Sequence, residues 1–422
     1  MVDEGVYKFN PIIFSAIFIA FVFYTGLFSI KEDDDSFVSL VKLTDVNIIE
    51  GIVSGSPVKT HKGNNYLVNI IPSKVTSKNG IESSCKGKIP VLLKASAVEA
   101  YFPDKLFSKS NTSGAILCDN GANLKITGSY LLNAKLFSMN KVEQLDWSNN
   151  WTGVINHFRA TTRLEFRRLL CAWGDAGGFL LALLAGMKEY TNIALYENFQ
   201  KSGLSHILAL SGMHLSLFSG ISFFFLKNIT GKRIASIINI FVIIIFVWFV
   251  GKSPSLIRAL IFSLVAMFFS IFNIKNKDFF TIFSLSFLIH CGLFPKDIFN
   301  IGFILSYGAL LGIILFSCFF EKIIICSLPH KLSSSVASSI SAQVFTAPVC
   351  LFSFGYFPIV GIFSTVIISP FVNIFIYVGL FLVVLCFCFP ICVPIGEFIL
   401  KIIYNVIENF AYIFACFPCI KI

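Results

Sequence analysis

The chain has 422 residues, 56% of them hydrophobic and only 13% charged, with a formal net charge of +10. A soluble globular domain is about a quarter charged, so composition excludes a wholly soluble chain. With a mean hydropathy of +0.80, it predicts a multi-pass α-helical membrane protein in which the positive charges matter through where they sit.

Residues 11–30 form an apolar run of about 20 residues, enough to cross a bilayer once. Asp3 and Glu4 precede it and no small-x-small cleavage site follows, so residues 1–30 read as an uncleaved anchor. Residues 31–150 are polar. Short strand-like runs near 46–54, 66–75, 88–93, 115–118 and 124–132, separated by Gly, Asn and Ser turns, predict an inserted small β-barrel of the OB type. This domain is strongly basic, with Lys59, Lys62, Lys86, Lys88 and Lys125 as candidate contacts to a phosphate backbone. Between Gly51 and Lys141 its acids are Glu82, Glu99, Asp104 and Asp119, and Tyr66, Tyr101, Phe102, Phe107 and Tyr130 are interleaved. A basic barrel with aromatics can track a polyanion and stack bases, and a solvated lysine surface around core aromatics is the plainer alternative. Cys85 and Cys118 are a candidate disulfide if the domain lies outside the cytoplasm. The remaining cysteines read as small buried hydrophobes. Cys386, Cys388 and Cys392 have no His or carboxylate nearby, so neither a metal nor another cofactor is expected.

In residues 151–174, Ile155, Phe158, Phe166, Leu169, Leu170 and Trp173 share one helical face, with Arg159, Arg163 and Arg167 at i, i+4, i+8 along its flank. That pattern predicts an interfacial helix with its guanidinium groups at lipid headgroups, or guiding a polyanion toward the membrane. Residues 175–422 are apolar runs with short polar joints. Spans are expected near 203–226, 234–250, 255–274, 279–294, 299–320, 335–354, 359–389 (long enough to break in two) and 395–417. Lys227, Lys232, Arg233, Lys275, Lys277, Lys322 and Lys331 then fall on one side, which the positive-inside rule makes cytoplasmic. Residues 31–150 are placed outside.

Residues 203–226 place Ser205, His206, Ser211, His214 and Ser216 at membrane depth, where polar groups mark a pathway or a site. On one continuous helix Ser205, Gly212 and Ser216 offer a small-residue surface. If that helix is continuous, His206 and His214 lie about 12 Å apart along the axis, too far to share a metal ion, and only a break at Gly212 could bring them together. Arg258 follows Pro254, and Gln343 and Thr346 precede Pro348, as cavity-facing groups or as helix-to-helix hydrogen bonds. His290, close to a span's outer end, reads as interfacial.

Several ordered motifs are similar to the competence domain of the ComEC family over residues 175–375. Gly203-Leu204-Ser205-His206-Ile207-Leu208-Ala209-Leu210-Ser211-Gly212-Met213-His214 resembles the family's signature. Pro254-Ser255-Leu256-Ile257-Arg258-Ala259, Gly302-Phe303-Ile304-Leu305-Ser306 and Ala342-Gln343-Val344-Phe345-Thr346-Ala347-Pro348 resemble three further elements. Lys188 stands where the family usually has Arg, Ser364 where Asn is common, and residues 136–150 lack the usual Asn-Pro-Gly. No His-x-His-x-Asp cluster is present, so the resemblance is to a short form without the metallo-β-lactamase-like domain.

The resemblance implies a channel for single-stranded DNA in the bacterial cytoplasmic membrane, used in natural transformation, and not an enzyme. Its pore candidates are His206, Ser211, Gly212, His214, Arg258, Gln343 and Thr346. Its partners are single-stranded DNA, the bilayer, a separate nuclease, a DNA receptor and a cytoplasmic DNA translocase. Alternatives are a transporter of another polyanion, an envelope protein without DNA uptake, and an intramembrane hydrolase with Ser211 as nucleophile and His206 or His214 as base.

Overall fold

The computed structural model describes residues 37–39, 41–60, 65–99, 116–210, 212–251, 253–272, 279–324 and 329–421. The expected anchor at 1–30 lies outside them, as do Lys62, Tyr101, Phe102, Phe107 and Ser211.

Five strands close into a barrel: β1 (Val46–Lys59), β2 (Asn65–Ser77), β3 (Ile89–Lys94), β4 (Asn123–Leu131) and β5 (Leu136–Gln144). β1 pairs with both β2 and β4, β4 with β5, and β2 with β3, all antiparallel. β3 and β5 complete the ring in parallel, Val91 opposite Phe137. The period-two alternation sets the inside. Tyr66, Val68 and Ile70 point inward from β2, and Leu124 and Ile126 from β4. Register shifts along β1–β2 bend these long strands around the barrel.

Two glycines mark where strands approach most closely. A Cβ at Gly51 would stand 2.5 Å from the Ile71 carbonyl, and one at Gly128, at a register shift between β4 and β5, would overlap the Ser138 carbonyl. The expected strand near 115–118 is absent, because residues 116–118 run into a buried turn at Asp119. β5, which the sequence reading missed, buries only Phe137 and Met139 before the polar pair Asn140-Lys141 interrupts its alternation.

The helical part begins with α1 (Trp151–Cys171), α2 (Gly174–Ala185), α3 (Ile193–Lys201) and a single turn, α4 (Ser205–Leu208). There follow α5 (Gly212–Thr230), α6 (Lys232–Val250), α7 (Pro254–Ile271), α8 (Phe279–Leu293), α9 (Ile301–Ile324), α10 (His330–Phe354), α11 (Gly361–Cys388) and α12 (Val393–Ala415). Among the described residues six helices are long and apolar enough to cross a membrane: Lys232–Val250, Pro254–Ile271, Ile301–Ile324, Leu332–Phe354, Gly361–Cys388 and Pro390–Ala415. The chain is thus a multi-pass helical protein with an inserted small barrel.

α2 is apolar on every side, as a helix enclosed by others must be, and every residue from Ala176 to Ala185 is buried. Its Leu180 fills the space left by Gly379 of α11, and it ends at Gly186 in the left-handed region. Trp173 donates from Nε1 to the Val393 carbonyl at 3.0 Å and lies over Gly396 of α12. α9 and α10 meet where Gly312 touches the Ser341 backbone. α11 runs unbroken through Pro370, so the apolar run 359–389, long enough to break in two, holds a single helix. Its neighbours α2 and α12 support it along that length.

Gly128→Ala should force β4 and β5 apart at a cost of about 1–3 kcal/mol. A lower apparent melting temperature of the full chain in detergent is expected, whereas exposed Ser129→Ala should stay within about 0.5 kcal/mol.

Candidate translocation site

The apolar run 203–226, expected as one span, is broken before Gly212. α3 ends at Lys201, Gly203 takes a φ of 78°, α4 makes one turn, and Ala209 is extended before α5 starts at Gly212. Ser205 therefore does not share a helix with Gly212 and Ser216, and the continuous small-residue surface does not form. A break inside apolar surroundings frees backbone carbonyls that need donors. Three side chains serve this segment. Ser364 donates to the Ser202 carbonyl at 2.7 Å, Ser255 donates to the Leu210 carbonyl at 2.7 Å, and His206 Nδ1 lies 3.1 Å from the Gly203 carbonyl.

Those contacts bring separate sequence motifs to one place. At one end, a Cβ on Gly203 would stand 2.8 Å from Gly361 Cα, and Gln343 Nε2 lies 3.6 Å from the Cβ position of Gly361. At the other end, Arg258 Nη2 lies 3.3 Å from the Cβ position of Gly212, with Ala259 beside it at 3.4 Å. Gly212, Arg258 and Gln343 thus gather around residues 202–212. The two imidazoles part company: His214 is fully buried in α5, while His206 is exposed. Thr346 turns back to the Ala342 carbonyl of its own helix at 3.0 Å. His290, expected at an interface, is fully buried. Its Nδ1 lies 3.3 Å from Tyr307 Oη, and its Nε2 lies 3.2 Å from Asp297. Among the described residues no group of three or more His, Cys, Asp or Glu is placed to hold a metal ion.

The arginines of α1 correct the headgroup expectation. Arg159 and Arg163 are only 5% and 4% exposed, and both point at Asp119 of the barrel, Arg159 Nη1 and Arg163 Nε each 3.5 Å from a carboxylate oxygen. Arg163 also donates to Ser56 Oγ at 2.9 Å, and Arg159 lies over the Trp248 ring near the end of α6. Burial pulls the Arg163 guanidinium down to about 10, against the pull of Asp119. The exposed face of α1 is apolar instead, carrying Trp151, Val154, Ile155 and Phe158, whereas Phe166, Leu169, Leu170 and Trp173 enter the helical core.

Arg167 is half-buried near Glu189, whose carboxyl is raised by burial with Arg167, Arg163 and Lys59 opposing. Lys59 Nζ stands 5.8 and 5.7 Å from the ring centres of Tyr66 and Tyr190, whose hydroxyls are hydrogen-bonded at 2.9 Å. Tyr66 is therefore part of the joint and not a stacking platform. Lys125 pairs with Glu50 at 2.7 Å, Lys88 is half-buried, and Lys86 is exposed. Cys85 and Cys118 are free thiols, not a disulfide. Cys85 Sγ faces the Pro72 carbonyl at 3.6 Å, and Cys118 sits in the barrel core, where burial pushes its thiol up to about 12.

Comparison with known proteins covers the helical part of the chain. The family profile described as "Competence: Competence protein" matches residues 183–422, more than half of the chain. The chain belongs to the competence protein family. It is 26% identical over 206 residues to ComE operon protein 3 of Bacillus subtilis (strain 168), a stretch covering 49% of this chain and 26% of that relative. This chain thus spans well under two thirds of the length of the curated relative it matches. No solved structure matches it.

The broken segment, Arg258, Tyr307, Gln343 and Gly361 all lie within the competence match, while the barrel and α1 precede it. Sequence reading passed over Asp119, Tyr307 and Asp297 as site residues. For Asp119 the available signal was its rarity, as one of four acids in a basic stretch.

Asp119→Ala leaves two buried guanidiniums without their carboxylate, a change worth about 3–5 kcal/mol. The full chain should melt clearly lower, with Asp119→Glu intermediate. At pH 8 iodoacetamide should spare Cys118 in the folded chain. After unfolding without reductant both Cys85 and Cys118 should be alkylated, as mass spectrometry will read.

Proposed function

We propose that this competence-family protein is a channel for single-stranded DNA in the bacterial cytoplasmic membrane. The observation that carries the reading is that Arg258 and Gln343, from two separate motifs, flank a helix break within the apolar part of the chain, Arg258 beside Gly212 and Gln343 beside Gly361, which abuts Gly203. A polymer with a charge on every nucleotide cannot cross hydrocarbon without a hydrated, protein-lined route. Irregular backbone at that depth is tolerated where it is buried in protein or borders such a route. His206, His214 and Thr346, and by sequence Ser211, complete the candidate lining.

The orientation follows from charge. Arg159 reaches from beside the barrel to Trp248, near the C-terminal end of α6, while Lys232 and Arg233 are exposed at its N-terminal end. With those cations cytoplasmic, the barrel is extracytoplasmic. There Lys62, Lys86, Lys88 and Lys125 meet the strand through phosphate contacts and counterion release. A DNA receptor and a cytoplasmic translocase are the partners that fit such a route.

The test is transformation in a naturally competent host whose own competence membrane protein is deleted and replaced by this chain. Arg258→Ala and Gln343→Ala should each lower transformant yield at least about tenfold, the equivalent of about 1.4 kcal/mol, with surface DNA binding and protein level unchanged. Equal loss of surface binding, or full transformation by both variants, would refute the channel. Cysteines placed at Met213 and Ser216 should react with membrane-impermeant thiol reagents in intact cells.

A further inference from the structure

Arg258 poses a problem that its own helix does not solve. Its guanidinium is half-buried in an apolar region, its Nε makes no hydrogen bond, and among the described residues no carboxylate lies within ion-pair distance. A long cationic side chain in such surroundings tends to snorkel toward the nearest water. Here it instead lies over the face of Tyr307, with Cζ 5.8 Å from the ring centre, and reaches Gly212.

The ring is fixed from all sides. Tyr307 is almost fully buried, flanked by Phe283, Phe287 and Phe303 at ring separations of 5.7, 5.1 and 4.6 Å. Its hydroxyl donates to the Ser286 carbonyl at 3.2 Å and stands 3.3 Å from His290 Nδ1. The other nitrogen of His290 is anchored on Asp297, which sits in the 3-10 turn Pro295–Phe299. A connected set of side chains therefore runs from the α8–α9 joint to the helix break.

We propose that Tyr307, His290 and Asp297 are positioning residues that hold the Arg258 guanidinium at the Gly212 break. Resting on the channel reading above, that is where Arg258 meets the phosphates of the passing strand. The aromatic face supplies attraction to a cation without the counter-charge of a carboxylate. Arg258 thus stays available to a phosphate, which a buried ion pair would prevent. His290 and Asp297 act only through the tyrosine, by limiting how far its ring can turn.

The experiment is arginine modification of the full chain in lipid nanodiscs with phenylglyoxal, read residue by residue by mass spectrometry. Arg159, buried against Asp119, is the internal control. Tyr307→Leu should raise the modification rate of Arg258 roughly tenfold, within the range that a cation over an aromatic face supplies. Tyr307→Phe, His290→Gln and Asp297→Asn should raise it roughly two- to threefold, with Arg159 unchanged throughout. Tyr307→Phe and Asp297→Asn preserve shape and carry the test if the leucine variant does not fold. Unchanged Arg258 reactivity in all variants overturns the proposal, as does a parallel rise at Arg159, which marks general loosening. Oligothymidylate is the separate probe of the passage. Its failure to protect Arg258 in the native chain, with the Tyr307 effect intact, removes the channel reading and leaves the tyrosine's hold standing.

Discussion

A carbonyl freed from a helix inside apolar surroundings must find a donor, and the arrangement of the helical part follows from how residues 202–212 meet that demand. Ser255 sits at the start of α7 and Ser364 at the start of α11, so satisfying the Leu210 and Ser202 carbonyls fixes where both helices begin. The contact of Gly203 with Gly361 then sets how close α11 approaches, since a Cβ on Gly203 would stand 2.8 Å from Gly361 Cα. Once those two starts are placed, Arg258 and Gln343 are carried to opposite ends of the break. The polar residues around the break thus serve at least in part as scaffold.

A similar demand, for charge instead of hydrogen bonds, governs the joint between barrel and helices. Burying a guanidinium is tolerable only with a compensating partner, and Asp119 serves two of them. The hydroxyl pair Tyr66–Tyr190, with Lys59 over both rings, makes a second link between the two parts. Several of the cations that give the N-terminal region its basic character are therefore committed to holding the barrel in place. The surface left to meet a polyanion is smaller than the lysine and arginine count suggests, with Lys78, Lys86, Lys94 and Lys135 among its exposed members.

Composition and hydropathy made the helical class and most spans legible, because a bilayer demands long apolar runs whatever their neighbours. Period-two alternation revealed four barrel strands and lost β5, whose inward residues are only Phe137 and Met139. The break before Gly212 was only half legible, because Ala209, Leu210 and Gly212 suit an apolar helix by composition and only the Ser-Gly step hinted at a turn. Pro370 lies inside α11 without breaking it, because tertiary support carries the helix through it. The spacing of Arg159 and Arg163 was read correctly as one helical flank. Their partner Asp119 lies far back in the sequence, and periodicity within a helix says nothing about what faces it. The candidate pore residues emerged by motif order, whereas Tyr307 and Asp297 needed three-dimensional adjacency to be noticed.

Asp119 also bears on where this protein can be divided. By sequence, the polar region ends near residue 150 and a helix begins, which invites a cut there for biochemistry. Severing the chain at that point would strand Arg159 and Arg163 on the helical fragment with no carboxylate, and would strip the barrel fragment of the lid over Asp119 and Cys118. Neither half would keep the surface it has in the whole molecule, so a fragment that retains α1 with the barrel preserves more of the native contacts than one ending at the apparent linker.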